Sequence, residues 1–381
     1  LARSLANTPN PIPETCYLNI TRLLPAHYYI LKDGKLTGTR YWSLEADTSH
    51  GLKTEEEYYT RFRELLHESV RCRLRTIGNI GCELSGGLDS SAITMISARF
   101  LKDELERLHT FSYVMPDEAK DFDDEWVDEE PEQEAVIDAG NILRANVHKI
   151  RSAYFDDPIK EIDYSTEVNA GISDTDSYWT EALRRCGKDH GVTVMFSGFP
   201  GDELVSASGG AWYFDLIARK EYKTILSLIR EKPLERIKGV LAYFRRKYIH
   251  NPQFKDLIAQ QKRSDLLSPY FDLPKEYRRR HSFTPHHKKQ MSEKLARPHT
   301  CLRMESEGLY ALRNRMETRY PLADIRLLEF VLSIPSIFNK DAPQSRHLFR
   351  KATEGILPDK VRLRQNKKGA PLVFHQYKLY K

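Results

Sequence analysis

Apolar residues recur every three or four positions across residues 54–75, where Tyr58, Phe62, Leu65, Leu66 and Val70 share one face. That spacing predicts a helix, and Thr54 with Glu57 forms the capping box that would start it. The pattern then changes to a continuous apolar run at 80–84, a glycine-rich turn, and a second helical periodicity over 92–108. The alternation continues with a strand at 109–114, a helix at 132–143, a strand at 146–150, a helix at 177–190 and a strand at 193–196. Strands that alternate with helices predict an α/β fold built on a doubly wound parallel sheet, with ligands bound at the carboxyl ends of its strands. After about Leu204 the strand signals fade. Amphipathic stretches at 216–228, 234–248, 304–315 and 325–332 predict a mainly helical C-terminal part. Near the start, the apolar residues 28–31, the Asp33-Gly34 turn signal and residues 37–42 predict a hairpin. Residues 1–50 read as a linker or the tail of a domain further upstream, and 51–381 as the main domain, with its core at about 76–204 and the helical remainder at 205–381.

With 381 residues, 40% of them hydrophobic, the chain can bury a sizeable core. No apolar run approaches the roughly 20 residues of a membrane helix. No charged segment leads into an apolar stretch at the start, so a cytoplasmic location is expected. Cys16, Cys72, Cys82, Cys186 and Cys301 form no C-x-x-C pair, and the histidines no H-E-x-x-H. The cysteines therefore read as free thiols in a reducing compartment, with neither a disulfide framework nor a zinc site. The net charge of +5 is too mild to imply nucleic acid. Its distribution is uneven: residues 117–134 hold eleven carboxylates and one lysine, whereas 219–297 is basic and includes Arg278-Arg279-Arg280. Both stretches suit solvated surface, and the basic one also suits an anionic partner.

The chemistry concentrates in Ser85-Gly86-Gly87-Leu88-Asp89-Ser90-Ser91, between the first core strand and its helix. Glycines let backbone approach an anion closely, and a helix start offers unpaired N–H groups at the positive end of its dipole. The serine hydroxyls add donors, and Asp89 can hold Mg²⁺ beside phosphates. There is no Gly-Lys-Ser/Thr ending, so this is not a loop built to handle a γ-phosphate.

This segment resembles the pyrophosphate-binding loop of the ATP pyrophosphatases, whose adenine nucleotide α-hydrolase-like fold is thereby implied. With four further stretches, the chain resembles the synthetase domain of the asparagine synthetase family, which includes β-lactam synthetases and lasso-peptide cyclases. The four are Leu24-Pro25-Ala26-His27, Ser197-Gly198-Phe199-Pro200-Gly201-Asp202-Glu203, Glu317-Thr318-Arg319-Tyr320-Pro321-Leu322-Ala323-Asp324 and Arg364-Gln365-Asn366-Lys367-Lys368-Gly369. The resemblance implies that Leu84, Ser85, Gly86, Gly87, Asp89, Ser90 and Ser91 hold ATP. It implies that Ser197 and Gly198 line the nucleotide, that Asp89 and Asp202 share Mg²⁺, and that Lys367 is the catalytic lysine, with Lys368 its rival. Asp202 also suits a loop-end capping carboxylate.

Departures from the family patterns bear on the substrate. Asparagine synthetases carry glutamate, and β-lactam synthetases tyrosine, where this chain has Phe199, which cannot take or relay a proton. Ala323 stands where the asparagine synthetases have leucine. The expected activity is ATP-dependent amide formation on a peptide-like substrate, most closely that of a lasso-peptide cyclase, with a partner protein that delivers the precursor peptide. The alternative is a glutamine-dependent amidotransferase of the asparagine synthetase kind. A small carboxylate remains a possible substrate, and neither membrane nor nucleic acid is expected as a partner.

Overall fold

The computed structural model describes residues 13–15, 17–43, 51–114, 129–151, 158–169, 178–206, 216–217, 220–231, 233, 237, 241, 298–334 and 346–365. Lys367, Lys368, the arginine run 278–280, most of the acidic stretch and nearly all of 234–248 lie outside the described residues. The chain divides into two compact units. The first comprises Leu1–Asp47, Gly209–Leu302 and Pro335–Asp341, and the second Thr48–Ser208, Arg303–Ile334 and Ala342–Lys381.

In the first unit, β1 (His27–Lys32) and β2 (Lys35–Arg40) pair antiparallel around Asp33-Gly34. Both turn residues have positive φ, +50° and +73°, as a two-residue hairpin turn that matches strand twist requires. A helix at Tyr222–Glu231 follows later. The amphipathic pattern that predicts one continuous element over 216–228 is broken at Lys220, whose φ is +58°.

The second unit holds the predicted α/β core. Its elements are α1 (Glu55–Arg71), β3 (Asn79–Glu83), α2 (Leu88–Phe100), β4 (Leu108–Tyr113), α3 (Glu130–Ala139) and β5 (Val147–Ile150). They continue through α4 (Pro158–Val168), α5 (Tyr178–Asp189), β6 (Val192–Phe196), α7 (Pro298–Arg313, in this unit from Arg303), β7 (Glu317–Arg319), α8 (Ile325–Ser333), α9 (His347–Ala352) and α10 (Asp359–Arg362), with α6 the first unit's helix Tyr222–Glu231. The strands form one parallel sheet in the order β5-β4-β3-β6-β7. Strand order reverses between β3 and β6, so the loops that leave their carboxyl ends diverge from a common crevice.

Helices cover both faces. On one, Leu183 of α5 and Ala311 of α7 pack on Phe111 and Met195. Gly81 faces the same side, where a Cβ would meet Met195 Sδ at 2.6 Å. Its neighbour Cys82 points the other way, against Ser97 and Thr94 of α2, and burial pushes its thiol up to about 12. The capping box at α1 forms as predicted, with Glu57 N donating to Thr54 Oγ1 at 3.3 Å and Thr54 N to Glu57 Oε2 at 2.9 Å. The buried face of α1 sets Tyr58 against Phe330 of α8, with the rings tilted by 32°, and Phe62 edge-on against Phe349 of α9.

One strand departs from the sequence reading, which ended the sheet with the strand at 193–196. β7, Glu-Thr-Arg, adds a fifth strand beside β6. It is polar because Arg319 leaves the sheet to clasp the end of α1, donating to the carbonyls of Arg73 at 2.6 Å and Arg75 at 2.8 Å.

Asp324 completes the same stitch. It caps α8 by accepting from Arg326 N at 3.0 Å, and it pairs with Arg73 at 2.7 Å and Arg326 at 2.8 Å. Burial raises its carboxyl, but the hydrogen bonds from Arg326 and Arg73 outweigh that and hold it at about 2. A depressed carboxyl stabilises the fold above its unfolded value of about 3.9. Asp324→Asn is therefore expected to lower stability by about 2 kcal/mol at pH 7. In urea titrations, the gap between wild type and variant should close as pH falls from 4 towards 2.

Candidate active site

The loop that leaves β3 turns sharply at Gly86, whose φ is +76°. A Cβ there would meet Glu129 O at 3.0 Å and Glu132 Cβ at 3.1 Å, so α3 closes over the loop. The loop is held by its own serines: Ser85 N donates to Ser90 Oγ at 3.2 Å, and the Ser85 and Ser90 hydroxyls lie 3.0 Å apart. Gly87 caps α2 with no side-chain hydrogen bond, and the helical ladder begins only with Ser91 N to Gly87 O at 3.1 Å. Thirteen helical residues thus aim the start of α2 into the crevice, where it is suited to an anion.

Two of the predicted residues sit differently from the others. Leu84 is 1% exposed, so whatever it offers a nucleotide comes from its backbone. Ser91 is fully buried within α2, and its hydroxyl meets no hydrogen-bond partner among the described residues.

The loop after β6 presses against this one. A Cβ on Gly198 would meet Ser90 N at 2.9 Å, and one on Gly201 would meet the Asp89 carboxyl carbon at 2.5 Å. Glycines are needed at both positions for the loops to come so close. Ser197 is buried at the end of β6, its N–H bonded to Arg319 O at 3.1 Å.

The approach brings the carboxylates of Asp89 and Asp202 together. Burial, and then the neighbouring Asp202 carboxylate, raise the Asp89 carboxyl above the usual range. Asp89 Oδ1 is buried and has no hydrogen-bond partner among the described residues. Arg346, at the start of α9, bridges the pair, lying 3.2 Å from Asp89 Oδ2 and in contact with Asp202 Oδ1. Two adjoining hard oxygen donors, one with an unused buried oxygen, with a positive group already between them, fit a small divalent cation such as Mg²⁺.

No sequence pattern marks Arg346, which adopts a left-handed backbone at φ +63°. A second set also escaped the reading. Arg184 of α5 is 0% exposed and pairs with Glu83 at 2.7 Å and Glu307 at 3.0 Å. Burial raises the Glu307 carboxyl against the pull of Arg184. Phe199 meets Tyr320 edge-on, with centroids 6.3 Å apart, and the Arg303 guanidinium lies 4.4 Å over its ring. Arg184, Glu83 and Glu307 come from three separated segments, so no spacing reveals their meeting. The start of the last motif is anchored too: Arg364 reaches Glu129 at 3.2 Å and Glu132 at 3.7 Å.

Comparison with known proteins agrees with this architecture. The asparagine synthase family model matches residues 61–380. Asparagine synthetase [glutamine-hydrolyzing] 3 of Bacillus subtilis strain 168 is 27% identical over 369 residues, covering 94% of this chain and 55% of its own length. Asparagine synthetase [glutamine-hydrolyzing] 1 of the same organism is 25% identical, covering 95% and 57%. Amidase chyE of Penicillium rubens is 24% identical, covering 91% and 58%. The chain thus spans little more than half the length of these relatives. A match that begins within α1, runs almost to the last residue and takes in both loops meeting at the sheet's reversal point places this chain in the asparagine synthase family.

Proposed function

We propose that the chain is an ATP-dependent carbon–nitrogen ligase that adenylates a carboxylate and joins it to an amine. The observation that carries this reading is the meeting of Asp89 and Asp202 beside the open start of α2, on a loop without a Walker lysine. A substrate carboxylate oxygen attacks the α-phosphorus of ATP, and pyrophosphate leaves. The amine nitrogen then attacks the acyl carbon, AMP leaves as the amide forms, and a proton passes to solvent.

The first-turn N–H groups of α2, with the Ser85 and Ser90 hydroxyls, take the phosphate oxygens. Ser197 and Gly198 border the nucleotide. Asp89 and Asp202 would hold Mg²⁺, which would supply positive charge beside the departing pyrophosphate. Lys367 stabilises the oxyanion that develops during amine attack, an effect of about 3–4 kcal/mol. Lys367 is outside the described residues, but Arg364 is tied to the acidic residues that flank Gly86.

Within this reading the substrate is a peptide that carries both carboxylate and amine, closed into a macrolactam as in a lasso-type peptide. A partner protein delivering the peptide would work with it in the cytoplasm. Among the described residues no helix is long and apolar enough to cross a membrane. Phe199, engaged by Tyr320 and Arg303, supplies no proton-transferring group where free ammonia chemistry would use one. A second reading, an amidotransferase fed with ammonia from glutamine, is favoured by the names of the two Bacillus relatives.

Phosphorus NMR of reactions with ATP and Mg²⁺ tests both. A linear peptide with a free amine and an acidic side chain is expected to give AMP, pyrophosphate and a product lighter by one water. Turnover only with L-aspartate and ammonium would select the second reading. ADP and orthophosphate would overturn the assignment.

A further inference from the structure

The amino ends of the sheet carry a cluster that the proposed ligase chemistry does not use. His109 is the second residue of β4 and His148 the second of β5, on neighbouring strands. His109 Nδ1 lies 3.0 Å from His148 Nε2, and the two rings stack at 5.3 Å with 8° between their planes. Cys186 comes from the last turn of α5 and His190 from the turn just after it, four residues apart and close in space. The His190 ring lies 4.0 Å from that of His148, centroid to centroid, and its Nδ1 is 3.9 Å from Cys186 Sγ. One donor atom each from His148, Cys186 and His190 falls within 4.8 Å of the others.

We propose that His148, Cys186 and His190 form a binding site for a borderline divalent cation, with Zn²⁺ the best match, and that His109 either supports His148 or supplies a fourth ligand. Imidazole and thiolate donors select such a cation, whereas Mg²⁺ takes oxygen. In a tetrahedral zinc site, bond lengths of about 2.0–2.3 Å set donors roughly 3.3–3.7 Å apart. The observed cluster reaches that by closing up to about 1.5 Å, which the exposed His190 side chain is free to do. The His190 tautomer is already suited to the task. Its Nδ1 lies 2.8 Å from the Cys186 carbonyl, which can only accept, so Nδ1 carries the proton and Nε2 keeps its lone pair. His109, 6% exposed, stands to His148 as an outer-shell partner does to a metal-bound imidazole, fixing its orientation. On binding, the Cys186 thiol gives its proton to solvent and the thiolate sulfur joins the cation.

Because the sheet is parallel, this site lies at the opposite end of the strands from the Ser85–Ser91 loop. It joins β4, β5 and the end of α5, so the role it fits is that of a clip on the sheet rather than a part of catalysis.

The test uses the unaltered chain stripped with EDTA and then titrated with Co²⁺ or Zn²⁺ alone. Co²⁺ is expected to bind at one per chain with a thiolate charge-transfer absorption and the visible bands of a tetrahedral centre. Cys186→Ala and His148→Gln should each abolish the charge-transfer signal or weaken affinity at least 100-fold. His109→Gln should weaken it about 10–100-fold, and Asp202→Asn should leave it unchanged. Zn²⁺ should also slow alkylation of Cys186 at least tenfold in the wild-type chain, with exposed Cys72 reacting at its former rate. That readout needs no folded variant. Co²⁺ spectra unaffected by Cys186→Ala, or Cys186 alkylated equally fast with and without Zn²⁺, would overturn the site.

Discussion

Asp89→Asn and Asp202→Asn are each expected to lower turnover by about 10³ or more, and the double variant to be no worse than the poorer single one. A cation held between two carboxylates is lost when either is neutralised, and the second change then removes nothing further. The loss should approach that seen when groups placed to meet transition-state charge are removed as a set. Close approach of the loops makes the pair act as one: Gly201 has no room for a Cβ because the Asp89 carboxyl fills the space, and Arg346 touches both acids. Cation affinity should also fall with pH, since burial and the Asp202 charge favour the protonated form of Asp89. Single-turnover assays at saturating Mg²⁺ check the claim. If the double variant loses the product of the two single factors, the carboxylates act separately and the shared-cation reading is wrong.

Arg184→Met should cost about 3–5 kcal/mol of stability, because it leaves Glu83 and Glu307 charged without their buried partner. Arg184 is 0% exposed and is the counter-ion of both. Taking away the charges should undo much of the damage. A triple variant, Arg184→Met with Glu83→Gln and Glu307→Gln, is expected to regain more than half of the lost stability in urea unfolding. A triple variant as unstable as the single one would mean that Arg184 matters for its packing volume. Glu83 is the last residue of β3, one residue before the Ser85–Ser91 loop. Activity in the triple variant therefore reports whether the ion set also positions that loop: recovered stability without recovered turnover would show that it does.

The alternation of strand and helix, the capping box at Thr54, the hairpin turn at Asp33-Gly34 and the glycine-rich turn at Ser85–Ser91 between strand and helix were all legible in the sequence. Each is a local property: a period of two or 3.6, a cap three residues from its partner, or a glycine where the backbone turns positive. The Asp89–Asp202 pairing was reachable only through family resemblance, since 113 positions separate the two residues. Tertiary structure decided what depends on distant segments meeting. The order β5-β4-β3-β6-β7 puts the two loops at one crevice, and no local pattern encodes which strand lies beside which. β7 was missed because Glu-Thr-Arg has no apolar alternation; it is a strand because β6 offers it a parallel edge and Arg319 is needed at the end of α1. Arg346 and the Arg184 set escaped for a related reason, because an ion pair is a meeting of charges in space. The histidine–cysteine cluster shows this most plainly. Its donors come from two strands and a helix end, so the absence of C-x-x-C and H-E-x-x-H spacing in the chain said nothing about whether the fold would bring four such side chains together.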